Sequence, residues 1–291
     1  MRLVTFTHTG STRIGLLEGD HVVDLAAAAP ELPREMRHFL AAGQLALDAA
    51  REAAQSGKAR IPAAEITLEA PIRRPPKILA VGLNYADHVR ETGREAPKVP
   101  MIFNKQSTAV TGPTGAIHVP RVSDKVDWVG ELAFVVGKRC RHVPRERAAG
   151  VIAGYTIVND VSVRDWQMRV PTFTMGKSFD THCPLGPVIV TADEIGDPHA
   201  LDLETWVNGD LRQRSNTREL IFDCYYLVEH LSTAFTLEPG DVVSTGTPSG
   251  VGAAMSPPTF LAPGDTVRVA IAGIGELRNP VIAEPDDTVV Y

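Results

Sequence analysis

The stretch Asp127-Trp128-Val129-Gly130-Glu131-Leu132-Ala133-Phe134-Val135-Val136-Gly137 begins polar and ends in an unbroken apolar run, as a strand entering a core does. Side chains alternate across a strand, so residues 127, 129 and 131 are expected on one face, about 6.6–6.8 Å apart per pair. Asp127 and Glu131 would then flank Val129. A second acid, Asp160, follows the apolar run Tyr155-Thr156-Ile157-Val158 and is placed at another strand end. Carboxylates at strand ends are a common way to hold a hard cation such as Mg²⁺ through oxygen ligands. Taken alone, isolated Asp and Glu are most often solvated or turn residues.

Short β-like runs separated by Gly and Pro extend in both directions from this stretch: Ile78-Leu79-Ala80-Val81, Val188-Ile189-Val190, Val242-Val243-Ser244-Thr245 and Val267-Arg268-Val269-Ala270-Ile271. A few helices intervene, notably over Arg145 to Val151 and Glu219 to Thr236. This spacing predicts a mixed, β-rich α/β architecture, largely antiparallel, rather than regular βαβ repeats. Residues 1–70 read as a small α+β unit. It is a meander of short strands through Leu25, followed by helices around Pro33 to Ala42 and Ala46 to Ser56. The run Pro71-Ile72-Arg73-Arg74-Pro75-Pro76 reads as a stiff linker to a larger unit, residues 71–291.

A chain of 291 residues with 44% hydrophobic and 22% charged residues can bury a sizeable core. Its net charge of -6 and the lack of a basic stripe give no reason to expect nucleic acid. No apolar run approaches the roughly 20 residues needed to cross a bilayer, and the first residues lack the layout of a signal peptide. Cys140, Cys183 and Cys224 form no CxxC spacing and leave an odd count, so a reducing, cytoplasmic setting is expected.

Other segments carry different chemistry. In Val81-Gly82-Leu83-Asn84-Tyr85-Ala86-Asp87-His88-Val89-Arg90-Glu91, His88 and Glu91 lie three apart, where helical side chains meet. A Glu beside a His raises the imidazole's basicity and fixes its tautomer, which suits activation of a water; an incidental surface pair has the same spacing. Met175-Gly176-Lys177-Ser178-Phe179-Asp180-Thr181 carries one of the few lysines, and Arg164-Asp165-Trp166-Gln167 follows Asp160 closely. The Gly-rich turn Ser244-Thr245-Gly246-Thr247-Pro248-Ser249-Gly250-Val251-Gly252 can present backbone N–H groups to an anion but lacks the ending of a phosphate loop. No GxSxG or HExxH is present, so a serine-hydrolase elbow and a zincin helix find no support.

Together and in this order, these segments resemble the fumarylacetoacetate hydrolase family. The matching pieces are Val81 to Glu91, Phe103-Asn104-Lys105, Asp127 to Gly137, Gly154-Tyr155 with Asn159 to Asp165, Lys177 to Asp180 with Cys183 to Pro187, Val207-Asn208-Gly209, and Pro239-Gly240-Asp241 through Thr245-Gly246-Thr247-Pro248. They cover nearly all of residues 75–280. The resemblance implies a β-roll catalytic domain, usually dimeric, in which carboxylates hold Mg²⁺, Mn²⁺ or Ca²⁺ and the ion polarises a 2-keto or 2,4-diketo acid as a Lewis acid. By that pattern Glu131 and Asp160 align with metal ligands, Asp87 with a ligand present in some members, and Thr181 with an outer-shell contact. Lys177 aligns with the lysine that stabilises the enolate-like product, and His88 with Glu91 aligns with the water-activating dyad. Gln167 and Thr247 align with substrate contacts, and Arg164 and Tyr85 stand with them as substrate-binding candidates.

One departure matters. The family strand usually reads Asp-aromatic-Glu-x-Glu, with both glutamates on the metal; here the first glutamate is Val129. A valine offers no oxygen, and the affinity of a hard cation depends on ligand charge count. The leading expectation is a hydrolase that cleaves a C–C bond in a 2,4-diketo acid or acylpyruvate-like substrate, using water activated by His88 and Glu91 and a weakly held Mg²⁺ or Mn²⁺. A second keeps the pocket for metal-weak or metal-independent enolisation: tautomerisation, isomerisation, decarboxylation, dehydration or cyclisation. A third is a non-catalytic binding protein on the same fold. The keto acid is the expected partner, together with a second copy of the chain.

Overall fold

The computed structural model describes residues 1–286. A twelve-stranded sheet forms its backbone, in the order Arg60–Pro62, His21–Asp24, Ser11–Glu18, Arg2–His8, Cys183–Thr191, Ile152–Asn159, Gly130–Val136, Val242–Ser244, Ile78–Gly82, Met101–Lys105, with Thr67–Glu69 and Val110–Thr111 paired off this path. A second, five-stranded sheet runs Asp210–Asn216, Asp202–Val207, Thr266–Ile271, Gly275–Ala283, Ile117–Val119. Most pairings are antiparallel; Val242–Ser244 joins Ile78–Gly82 in parallel. The mixed, strand-rich architecture is the one expected.

Gly130–Val136 lies in the middle of the large sheet, and every one of its residues is buried. Leu132, Phe134 and Val136 belong to the core cluster shared with Val269 and Leu277 of the second sheet. Ala133 and Val135 belong to a second cluster with Phe39, Leu40 and Ala50. This alternation is the pleat burying both faces of one strand, which explains why the run reads as continuously apolar. Gly130 is required by the close approach of the two sheets: a Cβ there would lie 2.4 Å from Thr205 Oγ1.

Residues 1–70 do not stand apart from this scaffold. Arg2–His8 hydrogen-bonds Cys183–Thr191 with Leu3 opposite Ile189, so a division at residue 70 runs through a shared sheet. The helices form as Met36–Ala41 and Gln44–Gln55. The proline-rich run is not a free linker. Pro71 and Ile72 are buried, Thr5 Oγ1 donates to the Pro71 carbonyl at 2.7 Å, and Ser107 Oγ donates to the Pro75 carbonyl at 2.7 Å. Among the described residues no helix is long and apolar enough to cross a membrane.

Candidate active site

The strand expected over residues 127–136 is interrupted at Trp128-Val129. Val126–Asp127 pairs with Ser162–Val163, while Gly130 begins the pairing with Ile152–Asn159. Between them the Val129 N–H donates to Asn159 Oδ1 at 2.9 Å, and the Val129 carbonyl accepts from the Asp160 N–H at 2.8 Å. The break separates the two acids. Asp127 turns away and accepts from Gly252 N at 2.7 Å, Ala253 N at 3.0 Å and Arg164 Nε at 2.8 Å. Glu131 and Asp160 instead line one cavity of about 500 Å³, together with Val129, Lys177, His88, Glu91, Arg164, Gln167 and Thr247.

On one side of this cavity stands the helix Ala86–Thr92, which Gly93 ends in the left-handed conformation at φ 64°. His88 Nδ1 lies 2.9 Å from Glu91 Oε2, and Glu91 Oε1 accepts from Gly250 N at 2.8 Å. The carboxylate thus orients the ring and leaves Nε2 as the nitrogen free for a ligand. Burial lowers the His88 pKa from 6.5, with the Glu91 carboxylate opposing that shift.

The same cavity is also lined by members of a buried charge cluster, Glu131, Asp160 and Lys177. Both oxygens of Asp160 are committed to ammonium groups, one to Lys177 and the other to Lys105 Nζ at 2.7 Å. Lys105 also donates to the carbonyl of Lys177 and, at 3.3 Å, to that of Val161. Glu131 Oε2 accepts from Ser244 Oγ at 2.6 Å and Gly246 N at 2.8 Å. Burial, reinforced by the Asp160 charge, pushes Glu131 up to about 8 against Lys177, Ser244 and Gly246. For Asp160, burial favours the neutral acid, but Lys105 and Lys177 outweigh it and hold the carboxyl below its ordinary value. Burial lowers Lys177, with Asp160 opposing and Arg164 and Lys105 assisting.

The remaining candidates divide. Arg164 Nη1 donates to Gln167 Oε1 at 2.9 Å, and both line the cavity. The Thr247 hydroxyl donates to the Gly130 carbonyl at 2.8 Å and accepts from Gln213 at 2.8 Å. Tyr85 is fully buried and does not line the cavity; its hydroxyl lacks a hydrogen-bond partner among the described residues. Asp87 also stays off the lining, because its carboxylate accepts from Ser215 Oγ at 2.6 Å and from the His88 N–H at 2.7 Å. Thr181 Oγ1 accepts from the His118 N–H at 2.9 Å and does not line the cavity either. The Gly-rich turn does present N–H groups to anions, but these are the protein's own Glu131, Glu91 and Asp127.

Residues 77–282 match the model described as fumarylacetoacetate (FAA) hydrolase C-terminal. The chain belongs to the fumarylacetoacetate hydrolase family. It is 46% identical to a mitochondrial oxaloacetate tautomerase of Xenopus laevis over 97% of this chain and 90% of that one. Maleylpyruvate hydrolase from Sphingobium sp., solved with manganese(II) and pyruvate, superposes with a TM-score of 0.83 at 36% identity over 98% of this chain and 100% of that one. A 5-carboxymethyl-2-hydroxymuconate delta-isomerase from Mycobacterium smegmatis superposes with a TM-score of 0.79 at 38% identity over the same shares. Family members are enzymes that act on keto acids, and this chain is an enzyme of that kind.

Within the family's site, the position that Val129 fills is decisive for a divalent ion. Val129 is buried and lines the cavity beside Glu131 and Asp160, so hydrocarbon stands where a third anionic oxygen is needed. Both Asp160 oxygens already face ammonium groups. Among the described residues no group of three or more His, Cys, Asp or Glu side chains is gathered to hold an ion. The residues present do not fit a tightly held resident metal. Lys105 and Ser244 were missed as site residues, although Lys105 lies inside the matching piece Phe103-Asn104-Lys105 of a lysine-poor chain. Only the fold reveals that its ammonium reaches Asp160.

Proposed function

We propose that this enzyme interconverts the keto and enol forms of a small 2-oxo acid, with an oxaloacetate-type 2-oxo dicarboxylate as the substrate class. One observation carries the reading: an acid–base pair, His88 and Glu91, and an ammonium-bearing cluster, Lys177 with Asp160 and Glu131, line a single cavity. The identity with an oxaloacetate tautomerase along nearly the whole chain supports it. The substrate's carboxylate and keto oxygen are held toward Lys177, with Arg164, Gln167 and Thr247 around them. Neutral His88 takes the proton from the carbon next to the keto group, and Glu91 stabilises the imidazolium that forms. The Lys177 ammonium stabilises the negative charge that develops on the keto oxygen. His88 then returns the proton to that oxygen, giving the enol.

Hydrolysis of an acylpyruvate-like C–C bond is the second reading. It is favoured by the same dyad, which is also built to activate water, and by the structural likeness to maleylpyruvate hydrolase. General acid–base catalysis supplies roughly 10²–10⁴-fold, enough for an activated α-proton and small for C–C cleavage, so tautomerisation ranks first. Following the ultraviolet absorbance of the oxaloacetate enol beside acylpyruvate consumption separates the two. Enol–keto exchange accelerated by the wild type and abolished in Lys177→Ala carries the proposal. Acylpyruvate cleavage with unaccelerated enol exchange would replace it by hydrolysis.

A further inference from the structure

We infer that the keto-acid pocket binds its anionic ligand without a divalent ion, with Lys105 as the buried counterion of Asp160 that leaves the Lys177 charge free to act on the ligand. The inference rests on the proposed function only in taking a 2-oxo acid as the ligand. Asp160 has two oxygens and two ammonium partners, Lys105 at 2.7 Å and Lys177. The two lysines are not equivalent in place. Lys177 lines the cavity, while Lys105 lies behind the wall, outside the lining, with its side chain fully buried. Lys105 also donates to the carbonyl of Lys177, so one ammonium fixes both the carboxylate and the backbone of the residue that meets the ligand.

Charge counting gives the consequence. A buried carboxylate needs one compensating cation. Lys105 supplies it for Asp160, and the charge of Lys177 is then uncompensated by Asp160 and faces the cavity beside the ring of Phe103, 4.8 Å from its centroid. A divalent ion in this place would have to displace an ammonium from Asp160 while meeting the Val129 methyls on the side where the family strand has a glutamate. Val129 and Lys105 thus work in the same direction: one removes an anion from the site, and the other cancels an anion that remains. Lys105 is a positioning residue, acting through Asp160 and Lys177.

The test uses oxalate, a planar dianion that mimics the enolate of a 2-oxo acid, titrated calorimetrically into the full chain with EDTA and again with Mn²⁺, while Mn²⁺ alone is titrated by electron paramagnetic resonance. Oxalate affinity should agree within about threefold in the two buffers. Lys105→Met should weaken oxalate in EDTA at least tenfold, because Lys177 becomes the sole counterion of Asp160, and tighten Mn²⁺, because one cation has left the site; Lys105→Arg should restore the oxalate affinity in part. A merely structural role for Lys105 would weaken both ligands together. Val129→Glu should gain Mn²⁺ and make oxalate binding depend on it; this variant keeps the test decisive if Lys105→Met does not fold. Oxalate binding that needs Mn²⁺ in the wild type overturns the inference, as does a Val129→Glu chain that binds Mn²⁺ no better than its parent. Oxalate binding in EDTA without tautomerisation would sink the proposed function and leave this inference standing; tautomerisation seen only with Mn²⁺ would do the reverse.

Discussion

His88 is half-buried and Glu131 fully buried, both beside charges, and their environments move them in opposite directions from their ordinary values. His88 is held below 6.5 by burial, so its neutral, proton-accepting form persists throughout neutral pH, and the acid limb of kcat/KM is expected below pH 6.5. Glu91 raises the imidazole. Glu91→Gln should therefore move that limb to still lower pH and reduce kcat as ring orientation is lost, whereas His88→Ala should cost about 10²–10⁴-fold in kcat; pH–rate profiles check both. Glu131 is displaced upward, from 4.5 to about 8. Between those values the folded chain holds a proton that the unfolded chain has released, so this residue makes stability fall as pH rises from 4.5 to about 8 and level off above. Glu131→Gln keeps a side chain able to accept from Ser244 and should remove that fall. Denaturant titrations of both chains across this range measure it, and parallel curves would show Glu131 ionised throughout in the fold.

Among the elements, the two short helices Arg164–Gln167 and Thr174–Lys177 position the substrate side of the cavity. They meet at Gly176, where a Cβ would lie 2.2 Å from the Gln167 nitrogen and 2.4 Å from its Cα. Backbone cannot give way as a flexible side-chain tip can. Gly176→Ala should cost about 1–3 kcal/mol of stability through overpacking and lower kcat/KM by displacing Lys177 and Gln167 together. Thermal melts with kinetics on the folded fraction test this, and unchanged kinetics would show that the helix pair does not set the site. Elements of this kind are poorly legible in a sequence. The apolar strands announce themselves by composition, as Gly130–Val136 does, and the three-residue spacing of His88 and Glu91 foretells their contact. The break at Trp128-Val129 does not, because its cause lies in hydrogen bonds to Asn159 and Asp160 made across the sheet. The proline-rich run shows the same limit: composition suggests a stiff linker, while the burial of Ile72 depends on what packs against it.

At the scale of the whole molecule, the fold class was readable because strand runs punctuated by Gly and Pro carry it locally. The partnership of residues 1–70 with the rest was not, because it depends on pairing between Arg2–His8 and Cys183–Thr191. That pairing predicts one cooperative unfolding transition, with tryptophan fluorescence and far-ultraviolet circular dichroism coincident. It also predicts that a chain beginning at residue 71 is aggregation-prone, since removal of the N-terminal strands bares an edge of the sheet. Two separated transitions would instead mark residues 1–70 as a unit that folds alone.

The same pairing bears on how the protein comes into being. Arg2–His8 leaves the ribosome long before its neighbour Cys183–Thr191 has been translated, and until then it can pair only with the strands next to it in sequence. Loop closure over so long a separation must precede the contacts that repay it. The nascent N-terminal sheet therefore waits with the Arg2–Leu3 end of this strand unpaired along one edge, Leu3 still without Ile189, while Thr67–Glu69 already covers Thr5 to Thr7. Completion of the central sheet belongs to the last stage of synthesis, and the interval before it is when a chaperone has most to hold.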